Sequence, residues 1–452
     1  MFLNRELELN ALEKRYKDKN AEFIVIYGRR RVGKSEIIKR FLKGKEGVLL
    51  LAREEAEKPQ LRRFSETISG YLNDSFLAKN PFQDWDAFFT YLAKLGKRRF
   101  IIALDEFPYL IRENRTLPSL IQDHWDTKLN KTKLFFIVCG SSISMMEKKV
   151  LGHKSPLYGR RTGQFLIRPF NLKDVKRYLK KSMKTSIEIY SVFGGTPAYI
   201  LAFDKRRSLF YNIENNLLRW DSFLYKDVEF LLREELSEPR YYFSILSAIG
   251  KGNTRPSHII NNTGLDKGVV GKYLSVLSDL QLVERKVPIT ENPLKSRKGL
   301  YFLKDNFFNF WFKYVYPYTE EIENNKQKRL VKEVIKPSFD QYVSLVFEDV
   351  CKEAVSTMDY TKVGKWWHKE DEIDIVALNE RKNEILFGEC KWKDNVDAKR
   401  EITNLEKKTE RVDWKKKNRK ERYTIFARSF KQKIYHKDVS LFDINYLEKI
   451  LK

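Results

Sequence analysis

The stretch "FIVIYGRRRVGKSEIIKRF", Phe23 to Phe41, decides how the first half of this chain folds. Its opening "FIVIY" is the short apolar run of a buried strand, and Ile37, Ile38, Phe41 and Leu42 then recur at helical spacing. Between strand and helix stands Gly28-Arg29-Arg30-Arg31-Val32-Gly33-Lys34-Ser35, a complete G-x-x-x-x-G-K-S. The glycines let backbone N–H groups close around phosphate oxygens. Lys34 is expected to reach the β and γ phosphates, and the Ser35 hydroxyl to ligate Mg²⁺ at the helix N-terminus.

Hydrolysis needs an acidic partner for this loop, and "RFIIALDEFPYLI" supplies one. Phe100 to Leu104 form a buried-type strand ending in Asp105-Glu106. Asp105 is expected in the magnesium shell and Glu106 as the base that polarises the attacking water. A third apolar run, "KLFFIVCGSS", brings Ser141 and Ser142 to the same edge of a parallel sheet, where one of them senses the γ-phosphate or simply ends the strand. In "SPLYGRRTGQF", Arg160 or Arg161 is a candidate arginine finger, in cis or from a neighbouring subunit; a plain surface pair is the alternative.

With 452 residues the chain exceeds what one core sustains, so three or four domains are expected, and 42% apolar content excludes a disordered chain. The balance of 87 basic to 61 acidic residues, +26 net, favours polyanions, nucleic acid before membrane surface. Three scattered cysteines make neither a disulfide framework nor a zinc site, and together with the charged N-terminus and the lack of a long apolar run they point to a cytoplasmic protein without membrane spans.

The motifs "FLNRELELNALEK", "YGRRRVGKSE", "ALDEFPYLI", "VCGSS", "PLYGRRTG", "PFN" and "FGGTPAYI", in that order, resemble the archaeal ATPase family, P-loop ATPases close to AAA+ and STAND proteins. The resemblance covers about residues 1 to 235 and, more loosely, the rest. It implies an ATP-binding α/β core at 1–165 and a helical lid at 166–236, with Gly194 to Pro197 in the lid's nucleotide-facing part. Residues 237–318 follow the order of a winged helix: helices in "YYFSILSAIGKG", "RPSHIINNTGL" (with Ser257 as N-cap) and "DKGVVGKYLSVLSDLQLV", then two strands. Whether this segment reads DNA or packs between domains stays open. Base-specific readout is not expected, since no Arg-rich or Asn/Gln-rich face is visible. A charged linker is expected at 319–337.

Beyond it, at 338–452, "SFDQYVSLVFEDVCKEAV" reads as a helix, with Tyr342, Val346 and Val350 on its stripe and Glu348 beside them. "EIDIVAL" and "EILFGECKW" read as strands of a hairpin turning at Asn379 to Glu384. If the turn centres between Arg381 and Lys382, Asp374 stands opposite Glu389, close enough for both carboxylates to share one divalent ion. Lys391 then shares the Glu389 face and Cys390 turns away. Asp374, Glu389-Cys390-Lys391 and the preceding Glu348 resemble the PD-(D/E)XK nuclease family, although Ile373 replaces its usual proline. The resemblance implies a restriction-endonuclease-like domain with Asp374, Glu389 and Glu348 on Mg²⁺ or Mn²⁺ and Lys391 orienting the water. The alternative is a hairpin with a wet charged face. The basic run Lys415 to Lys417, Arg419, Lys420 and Arg422 either follows a DNA backbone without reading sequence or is a solvated loop.

The expected protein is therefore an Mg-dependent ATPase joined to a nuclease-like DNA-interacting domain, with a homo-oligomer left open. A nucleotide-dependent switch whose C-terminal domain only binds a partner is the competing expectation.

Overall fold

In a computed structural model, residues 4–236, 238–432 and 434–451 are described; Phe2 and Leu3 of the opening motif, and the expected domain start at 237, lie outside them. The chain divides into two units, Met1–Pro169 and Phe170–Lys452.

The first unit is an α/β layer structure. Its strands are β1 (Glu22–Tyr27), β2 (Gly47–Leu51), β3 (Phe100–Asp105), β4 (Leu134–Gly140) and β5 (Gly163–Leu166), all parallel, in spatial order β2-β3-β4-β1-β5. Alternation along β1 builds both cores. Phe23, Val25 and Tyr27 join Phe64, Phe88, Trp85 and Trp125 on one face, whereas Ile24 and Ile26 join Ile37, Ile38, Phe41 and Phe135 on the other. A sheet buried on both faces explains why its strands read as unbroken apolar runs. The register Tyr27↔Gly140 and Leu104↔Val138 brings the carboxyl ends of β1, β3 and β4 level, so the residues that follow them meet at one edge.

The second unit begins with helices Leu172–Leu179, Met183–Phe193 and Phe223–Glu235 among others. Gly195 is packed so closely on Phe170 that an added Cβ would lie 1.8 Å from the Phe170 carbonyl oxygen, and the Phe170 N–H donates to the Gly195 carbonyl at 2.8 Å. Gly195→Ala must therefore push backbone aside, and is expected to lower the melting temperature of this unit by about 5 °C. Gly194, with φ +61° and ψ −154°, lies in a region that only glycine enters readily, so Gly194→Ala carries mainly backbone strain of about 1–3 kcal/mol and should also melt below wild type. Thermal scans of the two variants side by side check this.

Three helices follow, Pro239–Gly250, Pro256–Thr263 and Lys267–Asp279, then a hairpin of β6 (Val283–Lys286) and β7 (Leu300–Leu303). The middle helix starts one residue before Ser257: Arg255 is its cap and Pro256 its first residue, because proline's fixed φ suits that position and it has no N–H to satisfy. The charged stretch 319–337 is not an open linker. It is helical on either side of a short turn at 324–326, with Ile322, Leu330, Val331 and Ile335 buried, and it runs directly into the helix Lys336–Ser356.

A separate mixed sheet completes the unit: β8 (Lys362–His368), β9 (Asp371–Asn379), β10 (Glu384–Lys391), β11 (Lys420–Ala427) and β12 (Val439–Phe442), in order β12-β11-β10-β9-β8. The β9–β10 hairpin pairs Glu384↔Asn379 through Gly388↔Ile375, the register centred between Arg381 and Lys382. One more step of that ladder sets Asp374 against Glu389.

Candidate functional sites

At the carboxyl edge of the first sheet, the loop after β1 is shaped by glycine. Gly28 has φ +148°, and a Cβ there would lie 2.3 Å from the Ile167 carbonyl oxygen. Gly33 caps the helix Lys34–Leu42 without a side-chain hydrogen bond, so first-turn N–H groups face the loop. The buried Lys34 Nζ donates to the carbonyls of Gly28 (2.8 Å) and Arg29 (3.0 Å), and burial lowers its pKa. Arg30 reaches the Tyr109 hydroxyl at 2.9 Å, and Arg5 holds the Val32 carbonyl at 3.0 Å.

Asp105 is buried at the end of β3, and its Oδ1 accepts the Glu106 N–H at 3.0 Å. Glu106 has φ +53°, a costly conformation for a non-glycine residue that sets its side chain beside β4. There the Ser141 hydroxyl donates to Glu106 Oε2 at 2.7 Å, whereas Ser142 caps the next short helix. Ser35, Asp105 and the glycine cradle thus offer hard oxygen donors and backbone N–H groups at one edge. That donor set suits Mg²⁺ and a triphosphate. Arg160 and Arg161 are not part of it. They precede β5, whose Gly163 pairs with Ile24, so they lie at the amino end of the sheet, about 15–20 Å of strand away from the loop. Arg160 is forked onto Asp126 (3.0 Å) and Arg161 onto Gln164 (2.7 Å). Both arginines are thus held by protein partners rather than by the loop.

The C-terminal sheet carries a charged site of two poles. At one, carboxylate oxygens of Glu348, Glu372 and Asp374 lie within 4.8 Å of one another. Lys365 Nζ bonds Glu348 and, at 2.8 Å, Glu372. Asp374 Oδ2 accepts the Cys390 N–H at 2.9 Å. At the other pole, the buried Glu389 is gripped by Lys391 (3.0 Å) and Lys408, with Lys391 also 3.5 Å from Glu401. Burial pushes Asp374 well above the usual carboxylate range, and the charges of Glu348 and Glu389 add to it. Burial would raise Glu389 as well, but Lys391 and Lys408 outweigh it and hold that carboxyl low. When all are ionised, Glu348, Glu372, Asp374, Glu389 and Glu401 exceed Lys365, Lys391 and Lys408 by two negative charges, which one divalent cation would neutralise.

The raised Asp374 pKa has a signed consequence. A carboxyl whose folded value lies above its unfolded value favours the fold at low pH and loses that contribution as pH climbs from about 4 through the raised value. Metal-free Asp374→Asn should accordingly melt about 3 °C or more above wild type at alkaline pH, with the gap closing below about pH 4. Melting curves in a chelator across pH check it.

Residues 2–203 match a family described as an ATPase domain predominantly from Archaea. An uncharacterised protein of Methanocaldococcus jannaschii is 38% identical over 424 residues, spanning 91% of this chain and 92% of the relative. The chain belongs to the archaeal ATPase family. Residues 311–404 of this archaeal ATPase also match a family of archaeal and bacterial proteins of unknown function. A second M. jannaschii protein, named as ATP-binding, is 50% identical over 46 residues, 10% of this chain and 78% of its own length. The solved Walker-type ATPase of Pyrococcus abyssi is similar in fold, with TM-score 0.51 and 23% identity over 69% of this chain and 96% of that one.

Within this archaeal ATPase, the sheet edge unites the loop, Asp105, Glu106 and Ser141; in the second unit Asp374 meets Glu348 of the preceding helix, whereas Glu389, expected to share its ion, is taken by Lys391 and Lys408. Glu372, Lys365 and Lys408 escaped the sequence reading. Glu372 had a signal, because period-two alternation puts it on the Asp374 face of β9. The basic loop is largely committed internally: Arg419 is buried on Glu421 and the carbonyls of Val412, Trp414 and Thr409, Lys415 holds Asn383, and Arg422 pairs with Glu384. Among the described residues no helix is long and apolar enough to cross a membrane.

Proposed function

We propose that this chain hydrolyses ATP with Mg²⁺ at its N-terminal unit and that its residues 338–452 act on DNA as a metal-dependent, nuclease-like domain in the cytoplasm. The observation that carries the first half is the meeting of the Gly28–Ser35 loop, Asp105 and the Ser141-held Glu106 at one sheet edge. Ser35 and Asp105 would hold the ion, which neutralises phosphate charge. Lys34 would leave its loop carbonyls for the phosphate, and Glu106 would take a proton from water. Ser141 keeps Glu106 aimed. Arg160 and Arg161 are left for a neighbouring subunit of a homo-oligomer.

The second half is supported by the two-pole site. Glu348, Glu372 and Asp374 would share Mg²⁺ or Mn²⁺, while Lys391 and Lys408, on either side of Glu389, would meet phosphate. The segments 166–236 and 237–318 read as a lid and a winged helix that packs rather than reads bases.

A nucleotide-dependent switch, with a C-terminal domain that only binds a partner, is favoured by one observation. Lys34 and Glu106 both rest on protein groups, so turnover waits on a ligand to draw them off. Full-length protein incubated with ATP, plasmid DNA and Mg²⁺ or Mn²⁺ separates the readings. Phosphate release should vanish in Lys34→Ala, and nicking should vanish in Asp374→Ala. Wild type that releases phosphate but nicks nothing in either metal would leave the ATPase standing and sink the nuclease.

A further inference from the structure

The hairpin that follows the three middle helices does not project freely. Its loop, residues 287–299, lies along β8, the edge strand of the C-terminal sheet. The Ile289 N–H donates to the Lys365 carbonyl at 2.9 Å, and Ile289 crosses Gly364 where a Cβ would come within 2.9 Å of its side chain. Trp367 Nε1 donates to the Lys298 carbonyl at 3.2 Å, and Lys286 at the loop's base bonds Asp349 at 3.1 Å. Between loop and sheet lies a cleft of about 360 Å³. Pro288, Ile289 and Pro293 roof it, and Glu348, Lys365 and Asp374 lie within it.

We propose that this cleft admits a single unpaired nucleic-acid strand, one nucleotide deep, and excludes duplex. The proposal rests on the reading of residues 338–452 as a phosphodiester-cleaving domain and names its substrate class. Size decides between the two forms. The volume falls near the lower end of the roughly 300–1,000 Å³ typical of small-ligand pockets, whereas a duplex presents a major groove about 12 Å wide and cannot pass beneath a roof bonded to the sheet. The roof is fixed by a backbone hydrogen bond and two prolines, so it is a wall rather than a lid.

Charge agrees with this. Lys352 stands one helical turn beyond Glu348 in the cleft wall and makes no ion pair among the described residues, which leaves it for a backbone phosphate. In the reaction water adds across one P–O bond of the strand, leaving a phosphomonoester on one product and a hydroxyl on the other, and the surplus proton passes to solvent.

The test uses the full chain and a fluorescent oligonucleotide, either single-stranded or closed into a blunt hairpin duplex. Cleavage is read in Mg²⁺ and Mn²⁺, and binding by anisotropy in Ca²⁺. The strand should be cut and bound at least about tenfold better than the duplex. Lys352→Glu should weaken strand binding by about fivefold or more with unchanged melting and ATP binding, and Ile289→Trp, which fills the cleft, should weaken strand binding to a similar extent. Equal cutting of both forms, or strand binding untouched by Lys352→Glu, overturns the proposal. If neither form is cut in either metal while strand binding stays preferred and sensitive to Lys352→Glu, the nuclease reading falls and the cleft's ligand class stands.

Discussion

Glu106→Gln is expected to lower ATP turnover by about 10²–10⁴-fold while leaving nucleotide binding intact. The carboxylate sits on a left-handed residue at the start of a helix and receives a hydrogen bond from Ser141 at 2.7 Å. Glutamine keeps the size and can keep that bond through its amide oxygen, so the loop geometry survives and only proton acceptance is lost. Lys34→Ala should behave differently. It removes the cation nearest the loop carbonyls of Gly28 and Arg29, so nucleotide affinity should fall along with turnover. Phosphate-release kinetics paired with nucleotide-binding titrations separate the two patterns. Normal turnover by the Glu106→Gln variant would mean that water is activated elsewhere.

Lys365→Ala is expected to destabilise the second unit by about 3–5 kcal/mol, the usual cost of stripping one partner from a buried charged cluster. Burial alone would lower the Lys365 pKa, yet Glu348, Glu372 and Asp374 more than reverse it, so the ammonium is firmly charged. Its side chain and that of Glu348 are only 14% and 15% exposed, leaving little water to screen the carboxylates once it is gone. Urea unfolding of the variant, with and without Mn²⁺, is the measurement. Metal should restore part of the loss, since a bound divalent ion supplies the missing positive charge and stabilises by mass action. A variant as stable as wild type without metal would show that the carboxylates carry no uncompensated charge.

Local pattern made much of this legible. The loop, its strand and its helix follow from residue type and period, and the hairpin register from the position of one polar turn in a ladder of period two. What stayed hidden depended on three-dimensional registration. Lys365 sits where the β8–β9 register shifts between Gly364 and Trp366, and a bulge re-aims side chains in a way alternation cannot anticipate. Lys408 meets Glu389 only because the helix Ala398–Thr409 docks on β10. The sheet end reached by Arg160 and Arg161 is set by how β5 pairs with β1, which their own neighbourhood does not encode. The stretch 319–337 misled because its charges coat an exposed helical face while four apolar residues anchor the other.

The hairpin loop lying along β8 bears on how this protein can be cut apart. An uncovered strand edge offers unpaired N–H and C=O groups to any passing chain, a standing invitation to aggregate. Here Ile289 occupies part of that edge, although it belongs to a segment nearly fifty residues upstream of the helix that opens the domain. A fragment beginning at residue 338 would leave the edge bare and lose the roof of the cleft as well. The smallest piece expected to stay monodisperse begins instead ahead of the three middle helices, so the natural unit of excision is larger than the part that holds the carboxylates.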